Sequence, residues 1–267
     1  LIVYKIADEK YFVVVNAANI DKDWQHISQH NENFGASIQN ESDEMSLIAI
    51  QGPLAFATLQ KLTDTNLSEI PYYHFAIGSV SGVSDVIISN TGYTGSGGFE
   101  IYLKNADAVK IWQDLLEAGK EFNILPCGLA SRDTLRLEKG FCLYGNDIND
   151  TTTPIEAGLG WITRFVPDKD FIGRDLLLKQ KEEGPERRLK GFVMIDKGIP
   201  RQHYEVVDAD GNQIGEVTSG TMAPSLKQGI GLAYLNKGFW KSDTEIFIRV
   251  RGRDLKAKVT TLPFYKQ

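Results

Sequence analysis

Tyr204-Glu-Val-Val-Asp-Ala-Asp-Gly-Asn-Gln-Ile-Gly-Glu-Val-Thr218 decides the architecture of the C-terminal part of the chain. Tyr204 to Val207 and Gln213 to Thr218 are rich in strand-favouring residues, and Asp208-Ala-Asp-Gly211 between them has the composition of a turn. The same texture recurs on either side, at Gly191 to Ile195, Gly229 to Leu235, Glu245 to Val250 and Leu255 to Thr260. Short strands at such close spacing over about eighty residues predict a small all-β barrel or sandwich.

Upstream the pattern is mixed. Leu1 to Ile6 and Tyr11 to Val15 read as a hairpin joined through Ala7-Asp-Glu-Lys10. Asp21 is the expected N-cap of a helix carrying Trp24, Ile27 and Phe34 on one side. Ser46 to Ile50 reads as a short strand. Pro53 is expected at a first helical position, with Ala55, Leu59 and Leu62 following at helical spacing. Val80 to Ser89 and Phe99 to Leu103 read as strands, separated by the loop Thr91-Gly-Tyr-Thr-Gly-Ser-Gly-Gly98. Val109, Trp112, Leu115, Leu116 and Phe122 mark one amphipathic helix, and Leu129 to Lys139 a second. Charged Lys179 to Arg188, with Gly184-Pro185 inside it, reads as a linker. The expectation is therefore an α+β body over residues 1–180 followed by an all-β domain over residues 187–267.

Composition bounds the function. The 267 residues carry a formal net charge of −6, with 42% hydrophobic and 24% charged residues. That acidic balance argues against a chain-wide nucleic-acid role, which needs a basic field. No apolar run has the length needed to span a membrane. Cys127 and Cys142 make no disulfide framework, and both are expected to be small buried hydrophobes. His26, His30, His74 and His203 are scattered, and His26 with His30 lacks the third ligand of a metal site. Leu1-Ile-Val-Tyr4 reads as the middle of a strand, which predicts that sequence is missing upstream.

Four residues stand out chemically: Glu100, Arg132, Asn16 and Trp161. Glu100 follows the Gly-rich loop on a strand, and alternation points it and Tyr102 away from the side of Phe99 and Ile101. A buried carboxylate there would need a partner or a ligand; an ordinary solvent-facing glutamate is the alternative. The loop itself lacks the Gly-Lys-Ser/Thr ending of a phosphate loop, and its glycines also suit a hairpin turn. Tyr93 sits in that loop. Arg132 shares a helical face with Arg136 and can clamp a carboxylate, or form a surface salt bridge. Asn16 offers a donor and an acceptor to a heterocycle, or caps a turn. Trp161 can stack on a ring or fill core.

Together these segments resemble one family. Asn16-Ala-Ala-Asn19, Gln51-Gly-Pro53, Thr91-Gly-Tyr-Thr-Gly95 with Phe99-Glu100, Gly128-Leu-Ala-Ser-Arg-Asp133, Leu135-Arg-Leu-Glu138, Leu143-Tyr-Gly-Asn-Asp147, Thr153-Pro154 with Glu156, and Gly215-Glu-Val-Thr-Ser-Gly220 occur in the order found in the glycine cleavage T-protein family. Each is weak alone; the ordered set spans nearly the whole chain. The resemblance implies a multi-domain cloverleaf of the T-protein type with an all-β C-terminal barrel domain and a folate cavity. It implies an aminomethyltransferase that moves a methylene group from the aminomethyl-lipoyl arm of H-protein to tetrahydrofolate, its co-substrate, with release of ammonia. Asn16, Tyr93, Glu100, Arg132 and Trp161 match the family's folate contacts, while Arg136, Asp147 and Glu156 are expected to be structural.

The family's catalytic aspartate directly precedes the strand that Leu1 opens, so the expectation is that no catalytic residue lies within this chain and that the chain alone is inactive. No metal is implied, and the partners are the lipoyl-carrying H-protein and a small-molecule folate, with neither nucleic acid nor membrane. The compartment expected is the cytoplasm for a bacterial protein or the mitochondrial matrix for a eukaryotic one. Two alternatives on the same fold are a folate-binding iron–sulfur assembly factor and the folate domain of a demethylating oxidase. Against the first, Lys139-Gly140 is followed by Phe141 before Cys142, where that factor has its cysteine directly after the glycine.

Overall fold

In the computed structural model, which describes residues 1–266, the N-terminal alternation folds as expected into a hairpin. β1 (Ile2–Ala7) pairs antiparallel with β2 (Lys10–Val14), and Tyr4 lies opposite Phe12. Their rings turn inward, while Val3, Tyr11 and Val13 stay exposed. Asn16 caps a 3₁₀ turn over Ala17–Asn19, and α1 (Ile20–Asn31) follows directly. Asp21 therefore is not the N-cap. It stands with Asp23 in the first turn, where acidic side chains complement the helix dipole. Phe34 falls beyond the helix end and is 84% exposed, so it adds nothing to an apolar helical face.

The chain divides by its contacts into two units: residues 1–92 with 96–126, and residues 93–95 with 127–267. The first unit is built on β3 (Met45–Gln51), α2 (Ala55–Gln60), β4 (Phe75–Val80), β5 (Val83–Ser89), β6 (Gly98–Lys104) and α3 (Asn105–Ala118). The strands form an antiparallel sheet in the order β3-β6-β5-β4. The stretch Val80 to Ser89, expected as one strand, is broken after Val80. Ser81 (φ 53°) and Gly82 (φ 77°) make a two-residue turn there, and Val83 pairs back with Val80. Positive φ at both central residues suits the twist of a hairpin. Leu62 and Phe122 also fall just past the helices they were expected to join, and α2 starts two residues after Pro53.

β6 is covered on both faces. Phe99, Ile101 and Leu103 join Ile48, Ile50, Leu59, Ile88, Ile111 and Leu115 in the main core, beneath α2 and α3. On the opposite face Tyr102 packs with Tyr4 and Ile87, under the β1–β2 hairpin. Gly98 (φ 132°) opens the strand where a Cβ would press into the Ile50 carbonyl oxygen, so glycine is needed both for the backbone conformation and for the close approach.

In the second unit α4 (Leu129–Glu138) and α5 (Arg174–Glu183) precede six strands: β7 (Arg187–Met194), β8 (Glu205–Val207), β9 (Gln213–Ala223), β10 (Gln228–Asn236), β11 (Glu245–Val250) and β12 (Arg253–Thr260). They close in the order β10-β7-β12-β11-β8-β9. Closure leaves no free strand edge. Phe192, Val206, Val217, Leu235, Ile246, Ile248 and Val259 are among the side chains that fill the interior. The segment Lys179 to Arg188, read as a linker, is helical through Glu183; Gly184 (φ 81°) ends the helix and β7 begins three residues later. Cys142 is partly buried, packed beside Leu137 and Leu232, but Cys127 is exposed and is not the buried hydrophobe expected. No helix among the described residues is long and apolar enough to cross a membrane.

Candidate active site

Glu100 lies centrally on β6, opposite Ala49 of β3 and Ser89 of β5. It is 8% exposed, which removes the solvent-facing reading. Its Oε2 accepts the Thr91 hydroxyl at 2.5 Å. Among the described residues of its unit it forms no ion pair, so the neighbouring hydroxyl is what supports the buried charge. The Gln51 carboxamide braces this region: its Nε2 lies 3.2 Å from the carbonyl oxygens of Ile50 and Thr91 and 3.3 Å from that of Phe99. It thereby ties the start of the Gly-rich loop to the strands that flank it.

The loop connects β5 to β6 as a hairpin connection, and its tip, Tyr93–Gly95, groups with the second unit. There Tyr93 stacks on Phe141 with centroids 5.7 Å apart, and its hydroxyl donates to the Cys142 carbonyl. The Arg132 guanidinium lies over the Tyr93 ring, 4.5 Å from its centroid. Burial pushes the Tyr93 phenol up to about 12, so it remains a neutral donor at physiological pH. Arg132 is exposed and engages the ring face, and among the described residues it pairs with no carboxylate. The structure thus brings Tyr93 and Arg132 together as a flat, cationic platform.

Among the described residues, no hydrogen bond joins Asn16 to Glu100 within the first unit, and no ring contact joins Trp161 to Tyr93 or Arg132 within the second. Asn16 is exposed, and its Oδ1 accepts the Ala18 amide at 3.0 Å, which is the capping role left open by the sequence. Trp161 lies in a 3₁₀ turn over Gly160–Ile162 with its side chain 79% exposed, so it is not core filling. Its indole face is available to stack on a planar ligand.

The comparisons with known proteins agree over nearly the full length. Residues 1–166 match the family model described as "GCVT N-terminal domain", and residues 187–266 match "Glycine cleavage T-protein C-terminal barrel domain". The chain belongs to the glycine cleavage T-protein family. It is 60% identical to the aminomethyltransferase of Flavobacterium psychrophilum, across 100% of this chain and 73% of that protein. It is 58% identical to the aminomethyltransferase of Bacteroides fragilis, again over 100% of this chain and 73% of the relative. The crystal structure of the glycine cleavage system aminomethyltransferase T from Bartonella henselae superposes with a TM-score of 0.84 at 33% identity, covering 96% of this chain and 68% of that one. The fold class is the one expected, a mixed helix-and-sheet body with a closed barrel.

In this T-protein chain the second arginine of α4 has a different task from the first. Arg136 is 1% exposed and Asp147 is 0% exposed. Arg136 Nη1 donates to Asp147 Oδ2 at 2.7 Å and to the Phe141 carbonyl at 3.1 Å, Nε donates to Asp133 at 2.8 Å, and Nη2 donates to Ser219 Oγ at 2.8 Å. Asp147 also accepts from the Leu143 amide and from the hydroxyls of Thr218 and Ser219. Burial disfavours the guanidinium charge, and the carboxylates of Asp147 and Asp133 outweigh it, so Arg136 is held above its ordinary pKa. Every member is satisfied within the unit, and the network joins α4 to β9. Glu156 acts similarly: it accepts from the Thr153 amide and pairs with Arg187 at the start of β7.

Sequence reasoning did not single out Gln51, Ser89 or Tyr4 as parts of this region. Gln51 and Thr91 lie within motifs that the resemblance rests on, so a signal existed for them. Tyr4 reaches the site only through contacts across 85 or more residues, and Ser89, although close to Thr91 in sequence, is marked by no local pattern.

Proposed function

We propose that this T-protein chain binds tetrahydrofolate and acts as the aminomethyltransferase of the glycine cleavage system. The donor would be the aminomethylated lipoyl arm of H-protein, and ammonia would leave as the methylene group passes to the folate. The observation that carries the reading is Glu100: a buried carboxylate on a central strand, without a cation of its own unit, beside a family-matched Gly-rich loop. Such a group is suited to accept the N–H donors of a pterin ring. Asn16, Tyr93, Arg132 and Trp161 are proposed as the remaining folate contacts. Tyr93 with Arg132 offers a stacking surface whose positive charge suits an anionic tail.

The chemistry asks the protein to orient the folate amine and to stabilise its charge as it attacks the methylene carbon. The bacterial relatives make the cytoplasm the proposed compartment.

Calorimetric titration of the protein with tetrahydrofolate tests the proposal. Binding that weakens when Glu100 or Arg132 becomes alanine is the expected result, with transfer from aminomethylated H-protein as the accompanying activity assay. A well-folded protein that does not bind tetrahydrofolate refutes it.

A further inference from the structure

The support of Glu100 extends beyond Thr91. The Thr91 hydroxyl lies 3.0 Å from Ser89 Oγ and 2.5 Å from Glu100 Oε2. It has one hydrogen to give. A carboxylate is the stronger acceptor and here the nearer one, so that hydrogen goes to Glu100, and Ser89 donates to Thr91. Ser89 in turn accepts from the Tyr4 hydroxyl at 2.9 Å, and the Tyr4 and Tyr102 hydroxyls are 3.1 Å apart. All five side chains are buried. Running the row the other way would require Glu100 to carry a proton and donate it. With Glu100 Oε2 as the acceptor at its end of the row, the direction is Tyr102 to Tyr4 to Ser89 to Thr91 to Glu100. Burial holds the Tyr102 phenol well above its ordinary pKa, so the far end remains a donor.

A row of hydroxyls aligned head to tail polarises each successive bond. It also fixes one carboxylate oxygen, which sets the plane of the carboxylate and leaves further acceptor capacity for a ligand. We propose that Tyr102, Tyr4, Ser89 and Thr91 form a positioning relay that holds Glu100 oriented to accept the N–H groups of the folate pterin. The inference rests on the folate reading above and adds residues that do not themselves touch the ligand. Tyr4 comes from the β1–β2 hairpin and Tyr102 from the same face of β6 as Glu100, so folate recognition becomes coupled to the docking of the hairpin on the sheet.

The test is tetrahydrofolate affinity at neutral pH, each variant expressed as a ratio to wild type. Thr91→Val removes the donor; binding is expected to weaken roughly tenfold, the scale of one bond to a charged group. Thr91→Ser keeps the donor and is expected to return the affinity towards wild type. Tyr4→Phe breaks the relay two bonds away, with a loss of roughly two- to threefold. A folded Thr91→Val protein with unchanged affinity overturns the relay, as does Thr91→Ser impaired as much as Thr91→Val. Should Thr91→Val not fold, the relay falls if Tyr4→Phe leaves the affinity unchanged. Failure of wild type to bind tetrahydrofolate overturns the folate reading and the relay with it. Binding that is lost in Glu100→Gln but indifferent to Thr91→Val overturns the relay alone.

Discussion

Glu100 and Asp147 are both buried acids, one in each unit, and they are supported in opposite ways. Asp147 faces a buried guanidinium and takes three further donors from Leu143, Thr218 and Ser219. Its charge is neutralised and its lone pairs are occupied inside the protein. Glu100 is held by a neutral hydroxyl and by no cation of its unit among the described residues. Burying a charge without a counter-charge is costly unless something else compensates it. The first arrangement closes on itself and serves the fold. The second keeps a net negative charge beside a Gly-rich loop, where a ligand can complete it. A sequence search for acidic residues in family motifs finds both, and only their partners separate the roles.

The largest expected effect would come from opening the closed network. Asp147→Ala leaves the buried Arg136 with only Asp133 as a counter-charge, and a loss of about 3 kcal/mol, the lower end for a broken buried pair, is expected in urea unfolding. A loss below about 1 kcal/mol would show that the pair does not hold α4 to the barrel. Glu100→Gln should do the reverse. Unfolding free energy should change by less than about 1 kcal/mol, while tetrahydrofolate affinity falls by about 1.5–3 kcal/mol, the range for a bond to a charged group. Equal destabilisation by the two substitutions would erase the distinction between them.

Arg132→Ala sharpens the contrast within α4. Arg132 is exposed over Tyr93, so its removal should cost about 0.5–1 kcal/mol of the ring contact and reduce folate affinity with little change in stability. Arg136→Ala, four residues on, should instead unfold at markedly lower urea. The smallest effect concerns the second unit's thiols. Cys142 is pushed up to about 12 by burial, whereas Cys127 is exposed. Iodoacetamide at pH 8 should label Cys127 in the native protein and spare Cys142 until unfolding, as peptide mapping would report. Because Cys142 and Tyr93 both have raised folded values, the unfolded chain releases protons first as pH rises. Their contribution therefore makes stability fall from about pH 9 towards pH 12, and an alkaline urea series should show it.

Much of the fold was legible locally. The barrel strands and the N-terminal hairpin follow from strand-favouring runs between turn residues, and these depend on neighbours a few positions away. The misreadings share one cause. Ser81-Gly82 splits an apolar run that reads as a single strand, and Lys179 to Glu183 continues a helix whose charged surface resembles a linker. In each case hydrophobicity alone did not reveal where the backbone reverses. For the site, Glu100 could be nominated from its place after the loop, but its burial could not. That depends on Tyr4, 98 residues away from Tyr102 along the chain, bringing the hairpin over the sheet.

The sequence by itself determined the family, most of the strands and helices, and which acids and arginines stand in its motifs. The tertiary structure decided what each of those charges meets. Arg132 and Arg136 illustrate the division: residues four apart on a helix differ in direction by about 40°, and that offset separates an exposed guanidinium over Tyr93 from one sealed against Asp147. Local propensity is set by adjacent residues, whereas solvation and hydrogen-bond partners are set by segments that meet only after folding. The charge environment of Glu100 therefore exists only once β1, β5 and β6 are in contact.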